Sequence, residues 1–376
     1  MAKAEHIHGF DWLRLIAAIS VIYMHVASAP LRGSLGTDWH LINVLTSIGF
    51  TAVPLFFMMS GHLLLSNPKT ESPSVLLRHR LPRLLIPLAA WTVIAILWKA
   101  FLAKDLTVLP GEFLSSLHTP AWIHFWYMYT LIALYILAPL LCAGLRSLSR
   151  SGHILIFVLI CLPSLRVILQ ALLPASLDKL LNLDIITKLT FFGGHLNTFL
   201  LGYYLGKSEK RIPVPLLLGA GGVTLLTIIF GTFRLTSIGG AFDSTFMNQS
   251  AGFEVLLAAI LFLLFKQNVR RPSKLLASLP IVPLSLPIYL MHNLLLSAMT
   301  RYYVPVTFAD TLWMTAVNLV VCFLTMKTVA TVKPLCFLLT GMRFDTACKT
   351  CNWVFTFRRL KSALSGKKVR RNEEFS

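Results

Sequence analysis

Apolar runs of about 20 residues recur along this chain, and a run of that length can cross the hydrocarbon core of a bilayer as a helix. Ten can be marked, at 11–29, 41–65, 82–103, 124–145, 153–173, 188–206, 213–231, 252–268, 281–299 and 311–333. No other feature narrows the fold so far. In lipid every backbone N–H and C=O must find a partner inside the protein, which leaves helices or a closed barrel. Runs this long and continuously apolar are helices, because strands of a barrel alternate and are about half as long.

Composition agrees. Hydrophobic residues make up 56% and charged residues 13% of the 376 positions, against roughly 25% charged in soluble domains. Mean hydropathy is +0.72. The expected fold is therefore all-α, a polytopic membrane bundle of about ten transmembrane helices over residues 1–333, followed by a basic tail, 334–376. Pro54, Pro87, Pro139, Pro163 and Pro287 fall inside the runs, which membrane helices tolerate when neighbours satisfy the freed backbone groups.

The first run is read as an uncleaved span. Ala27-Ser28-Ala29 has the form of a signal-peptidase site, but Pro30 follows it and little positive charge precedes the run.

The net charge of +19 is a topology signal before it is a binding signal. Lys69, Arg78 and Arg80 lie between the second and third runs, and Arg146 and Arg150 between the fourth and fifth. Lys207, Lys210 and Arg211 follow the sixth, Arg270, Arg271 and Lys274 the eighth, and nine more cations lie in the tail. The alternate loops carry only Arg32, Lys104, Lys179, Arg234 and Arg301. By the positive-inside rule both termini are cytoplasmic. Nucleic acid is not needed to explain the charge, and the stretch Arg358–Arg371 suits anionic membrane lipids.

Six cysteines are present. Cys142, Cys161 and Cys322 read as small buried apolar residues, and the lone Cys348-x2-Cys351 pair lacks the second pair a structural zinc site requires. No metal is expected.

The polar residues inside the runs carry the functional reading, because ionisable groups within a membrane are costly. With the first run oriented outward, Asp11 and Arg14 lie near the cytoplasmic face and His25 towards the far face. Arg14 and His25 are eleven residues apart, about three turns plus ~20° at 100° per residue. They share one helix face about 16 Å apart along the axis, with Ala18 and Val21 between them. Arg80 and Arg83 at the start of the third span offer a phosphate site at the depth of Arg14, since guanidinium matches phosphate geometry. Asp11 is placed to orient Arg14. His124 and Trp126 open the fourth span at the outer interface, and His292 lies as far along the ninth span as His25 along the first. His195 falls near mid-membrane and Glu254 near the outer face. Together they outline a polar cavity that widens outward.

In this order the motifs resemble the acyltransferase-3 family of integral membrane O-acyltransferases. The residues that carry the resemblance are Arg14-x10-His25, Arg80-x2-Arg83, "VPLFFMMSGHLLL" with Ser60, "HFWYMYTLIALYILAPLL", and "LPIYLMHNLLL" with Tyr289 and His292. They span roughly residues 8–330. Within the family the likeness is to the stand-alone group that includes the O-acetyltransferase of enterobacterial common antigen. The pattern departs at His62, where an aliphatic or aromatic residue is usual. The 43-residue tail is too short for the SGNH esterase-like domain that some members carry.

The resemblance implies a catalytic His25, and Arg14, Arg80 and Arg83 as supports for an acyl-CoA donor. It implies transfer of an acyl group, commonly acetyl from cytoplasmic acetyl-CoA, to a hydroxyl of a cell-surface polysaccharide or its lipid-linked precursor. Acetyl-CoA then enters as a substrate, with no permanently bound cofactor. The implied surroundings are the bacterial inner membrane, its lipids, the glycan acceptor and partners in glycan assembly. Asp11, Ser60, His124, Trp126, His195, Glu254, Tyr289 and His292 stand as supporting or acceptor-side candidates. A transporter or flippase of a glycan or lipid precursor is the alternative that the span count allows.

Overall fold

A computed structural model of the chain describes residues 6–173, 194–273, 276 and 279–353. It is a helical bundle without strands among the described residues. The first helix, α1 (His8–Ala27), is followed by α2 (Thr37–Gly49) and α3 (Ala52–Leu65), which together form one bent 29-residue span. Next come α4 (Pro82–Ala103), the short α5 (Leu109–Ser116), α6 (Trp126–Ser147) and α7 (Arg150–Leu172). The chain continues with α8 (His195–Lys207), α9 (Val214–Gly239), α10 (Phe253–Asn268), α11 (Ile281–Thr300) and α12 (Phe308–Thr331). Two short helices, α13 (Lys333–Thr340) and α14 (Phe344–Cys351), follow.

Among the described residues eight segments are long and apolar enough to cross a bilayer, and each coincides with one of the ten expected spans. The other two are shorter. Helix α8 has 13 residues and α10 has 16, about 20 Å and 24 Å at 1.5 Å per residue, against a hydrocarbon core of roughly 30 Å. The first residues of the expected span 188–206 lie outside the described residues. Helix α10 starts within one residue of its expected span, where Gly252, at φ +78°, turns the chain into it; a Cβ there would meet Val167 at 2.6 Å.

Helix α1 sits at the centre and packs against α2, α3, α10, α11 and α12. That placement explains how its polar residues are tolerated, since they face protein rather than lipid. Phe10, Leu13, Ala17, Ile22 and Val26 are buried on its other faces. The outer surface of the bundle is apolar, with Val93, Leu97, Ile136, Leu140, Leu155, Val223 and Phe230 exposed, as a lipid-solvated surface requires.

The tightest crossing is between α3 and α8. A Cβ on Gly61 would lie 1.8 Å from the carbonyl oxygen of Phe199, and one on Gly202 2.0 Å from that of Met58. Two backbones therefore touch, the packing that small residues permit in membranes. His62 belongs to this crossing. Its ring fills the space at Gly206 and meets the Phe10 ring edge-on at 5.6 Å.

The segment after residue 333 was expected to be a basic tail. Up to residue 353 it is helical and packs on α4, α11 and α12, with Cys336, Ala347 and Cys351 buried in the main apolar core. The basic stretch beyond lies outside the described residues. All six cysteines are free thiols, and Cys142 and Cys322 are buried as expected.

Candidate active site

The site is a chain of two adjoining cavities leading to a histidine cluster. The first cavity holds about 470 Å³ and is lined by Arg80, Arg83, Tyr135, Arg343, Thr340 and Thr346 among others. Local sequence explains the placement of the arginines. Pro82 at the first turn of α4 lacks an N–H, and the turn before it, Leu76–Arg80, is wound wider than an α-helix, with the Leu81 N–H donating to Leu76 O at 2.9 Å. The Arg80 guanidinium donates to Thr70 Oγ1 at 2.8 Å, and the Thr70 hydroxyl donates to Leu64 O at 2.6 Å. Arg80 is thereby tied to the end of α3.

The second cavity, about 250 Å³, is lined by Arg14, Val21, Phe56, Ser60, Tyr127, Tyr135, Ser285 and Tyr289 among others. Leu84, Tyr135 and Leu286 line both, so the two adjoin. Arg14 and Val21 both face this space, and Val21 is one turn before His25.

At the far end three imidazoles meet. The rings of His25 and His292 are 5.1 Å apart between centroids, His124 and His292 4.9 Å, and His25 and His124 6.1 Å. Tyr289 joins the cluster to the second cavity, which it lines. Its hydroxyl donates to the carbonyl oxygen of His124, and its ring lies 5.3 Å from that of His124.

Hydrogen bonds set the ring nitrogens. His292 Nδ1 donates to Tyr289 O at 2.5 Å, so in the neutral ring Nε2 is left as an acceptor, buried and without a partner. Asn293 Nδ2 donates to His124 Nδ1 at 3.1 Å, which leaves the His124 proton on Nε2, also buried without a partner. Asn318 Nδ2 on α12 donates to His292 O at 2.9 Å and anchors the turn. His25 differs. It is half-buried, and among the described residues neither ring nitrogen makes a hydrogen bond. A free imidazole at the end of a cavity can act as base or nucleophile.

Not every expected residue joins the track. The Asp11 carboxylate takes a hydrogen bond from His6 at 2.7 Å, and among the described residues Arg14 makes no ion pair. The direct partner of the Asp11 carboxylate is thus His6, which precedes α1. His195 stacks on Phe57 at 4.5 Å and lies 5.0 Å from Trp126, behind the aromatic wall of the cavities. Trp126 faces a separate open cleft of about 560 Å³ with Lys99 and Trp122. Glu254 is fully buried on α10, has no hydrogen-bond partner for either carboxylate oxygen among the described residues, and lines neither cavity.

Sequence reasoning missed Tyr127 and Tyr135, although the spacing Tyr127, Leu131, Tyr135 marks one face of α6 and all three line the second cavity. It also missed Asn293, Asn318 and Arg343. Arg343 had no local signal, being one cation of a basic segment.

A family model described as an acyltransferase domain matches residues 7–327 of the chain. No curated protein and no solved structure gives a significant match.

Proposed function

The chain belongs to the acyltransferase-3 family, and from that premise we propose that it is an O-acetyltransferase of the bacterial inner membrane. It moves acetyl from cytoplasmic acetyl-CoA to a hydroxyl of a cell-surface polysaccharide or its lipid-linked precursor. The distribution of Lys and Arg supports cytoplasmic termini. It puts the Arg80–Arg83 cavity on the side where the donor is made and the histidines towards the other. Family membership favours group transfer over the transport alternative.

The single observation that carries this reading is that two adjoining cavities are lined by Arg80, Arg83 and Arg14, and that Tyr289, on the wall of the second, packs into the histidine cluster that holds the free imidazole of His25. Arg80 and Arg83 hold donor phosphates by charge-assisted hydrogen bonds. The pantetheine arm, slim and only weakly polar, passes Tyr135 and Arg14 and brings the thioester past Val21 to His25. His25 takes the proton of the acceptor hydroxyl as its oxygen attacks the thioester carbonyl. The C–S bond then breaks, the thiolate leaves and the proton returns to it, giving the ester and free CoA. A covalent route uses the same geometry: an imidazole nitrogen of His25 attacks the thioester carbonyl, the C–S bond breaks and the CoA thiolate leaves, and the acceptor hydroxyl then displaces the imidazole from the acetyl carbon while its proton passes to the thiolate.

The test is His25→Ala with acetyl content of surface glycan read by mass spectrometry, at matched protein level in the membrane. The expected outcome is a loss of about 10²–10⁴-fold in transfer. Normal acetylation would sink the assignment.

A further inference from the structure

We infer that the helical hairpin α13–α14 is a wall of the donor cavity and that Arg343, in its turn, is a phosphate-binding residue. This rests on the donor reading of that cavity. The hairpin begins after residue 327, where the family match ends, so nothing in the family resemblance assigns it a role.

Three observations carry the inference. First, Thr340, Gly341, Met342, Arg343 and Thr346 face Arg80 and Arg83 across the same 470 Å³ cavity. Among the described residues no carboxylate lines that cavity, and none of the three arginines is ion-paired. Three uncompensated guanidiniums around one space call for an anion of several charges.

Second, the turn is fixed against the arginine-bearing end of α4. Gly341 stands at φ +69°, and a Cβ there would lie 2.2 Å from Arg83 O and 3.2 Å from the Pro87 ring. Only glycine allows both that backbone conformation and that approach. The position of Arg343 is thereby coupled to that of Arg83.

Third, the hairpin is anchored rather than laid on the surface. Trp91 Nε1 on α4 donates to Leu339 O at 3.0 Å, and Cys336 Sγ donates to Met342 O at 3.3 Å. The Lys327 ammonium of α12 is fully buried and lies 3.9 Å from the centre of the Trp353 ring.

The ligand that fits is the adenosine 3′,5′-bisphosphate portion of coenzyme A, which combines a phosphate monoester with a diphosphate. Arg80 and Arg83 arrive on one element and Arg343 on another, so a ligand held by all three clamps the hairpin to α4. The phosphate of an anionic lipid headgroup shares this chemistry, and the choice of lipid separates the two.

The experiment measures binding of CoA, and separately of adenosine 3′,5′-bisphosphate, to the full chain in nanodiscs of zwitterionic lipid. Arg343→Ala is expected to weaken CoA binding about 10- to 100-fold, the loss of one hydrogen bond to a charged group. Arg343→Lys should recover part of it, and His25→Ala should bind as wild type. Arg343→Gln, close in shape, guards against misfolding and should match Arg343→Ala. If wild type binds no CoA, the donor reading itself fails. If wild type binds and both neutral variants bind equally well, the inference about Arg343 alone is overturned. An effect seen only in anionic nanodiscs assigns Arg343 to lipid and also overturns it.

Discussion

The three histidines are not equivalent, and the difference is one of hydrogen bonding. His124 and His292 each have Nδ1 engaged and Nε2 buried without a partner, while His25 has both ring nitrogens unengaged among the described residues. On the proposed reading His25 is the reacting group, and the rings of His124 and His292 stand 6.1 and 5.1 Å from it. Replacing His292 with Ala should therefore lower the transfer rate, by about 10- to 100-fold, a part of what a general base supplies, and leave CoA binding unchanged. Initial rates and binding measured on the same membranes check this, and a matched fall in CoA affinity would assign His292 to the donor path. How far the sequence revealed this site depends on the residue. That His25 and His292 share a depth follows from counting along the first and ninth spans, both read as running outward. That His124 joins them does not, because it sits in a short turn before α6, where the register of a helix gives no guide. The His6–Asp11 contact was not legible either, since His6 lies outside the helix whose periodicity was used.

Among the elements, the hairpin α13–α14 shows most clearly what a hydropathy pattern leaves out. Each helix has eight residues, too short for a span and too short to hold a strong periodic signal. Their stability comes from docking, which no local pattern reports. The buried Lys327 is the mark of that docking, because an ammonium with no hydrogen-bond partner among the described residues is tolerated where an aromatic face covers it. Burial also pushes the thiols of Cys336 and Cys351 above their usual range, so at neutral pH both are largely protonated and shielded from alkylation. Trp353→Ala uncovers Lys327 and loosens α14. Cys351 should then react with a maleimide in native membranes, at least ten times faster than in the parent, with the other cysteines replaced by serine or alanine. Equal, fast labelling of the parent would show that the hairpin is not docked. The α3–α8 crossing, by contrast, was open to reading. Gly202 and Gly206 stand four apart in "LGYYLG", the spacing of a small-residue contact. What that spacing could not tell was which helix they meet.

For the molecule as a whole, the sidedness of the reaction is the claim that joins topology to chemistry. Ten apolar runs made the all-helical membrane fold readable from the sequence. Two helices, α8 and α10, fall short of a full crossing, and α10 matches its expected run 252–268 to within one residue. The charge asymmetry then gave a direction to every span at once. By that reading Arg14, Arg80 and Arg83 fall towards one side and His25, His124 and His292 towards the other; the arginines line the two adjoining cavities, and Tyr289, whose ring packs on His124, lines the second. A donor as large and as charged as acetyl-CoA cannot cross the bilayer unaided, since each buried charge costs several kcal/mol. On the proposed reading it enters at the arginine end. Membrane vesicles of the two orientations separate the possibilities. With radiolabelled acetyl-CoA added to the bulk solution, inverted vesicles, whose cytoplasmic face is outward, should transfer label to glycan. Sealed right-side-out vesicles should transfer at least tenfold less until they are permeabilised. The converse result would reverse the bundle, placing Arg80, Arg83 and Arg343 on the far side from the donor and leaving the arginine cavity without its ligand.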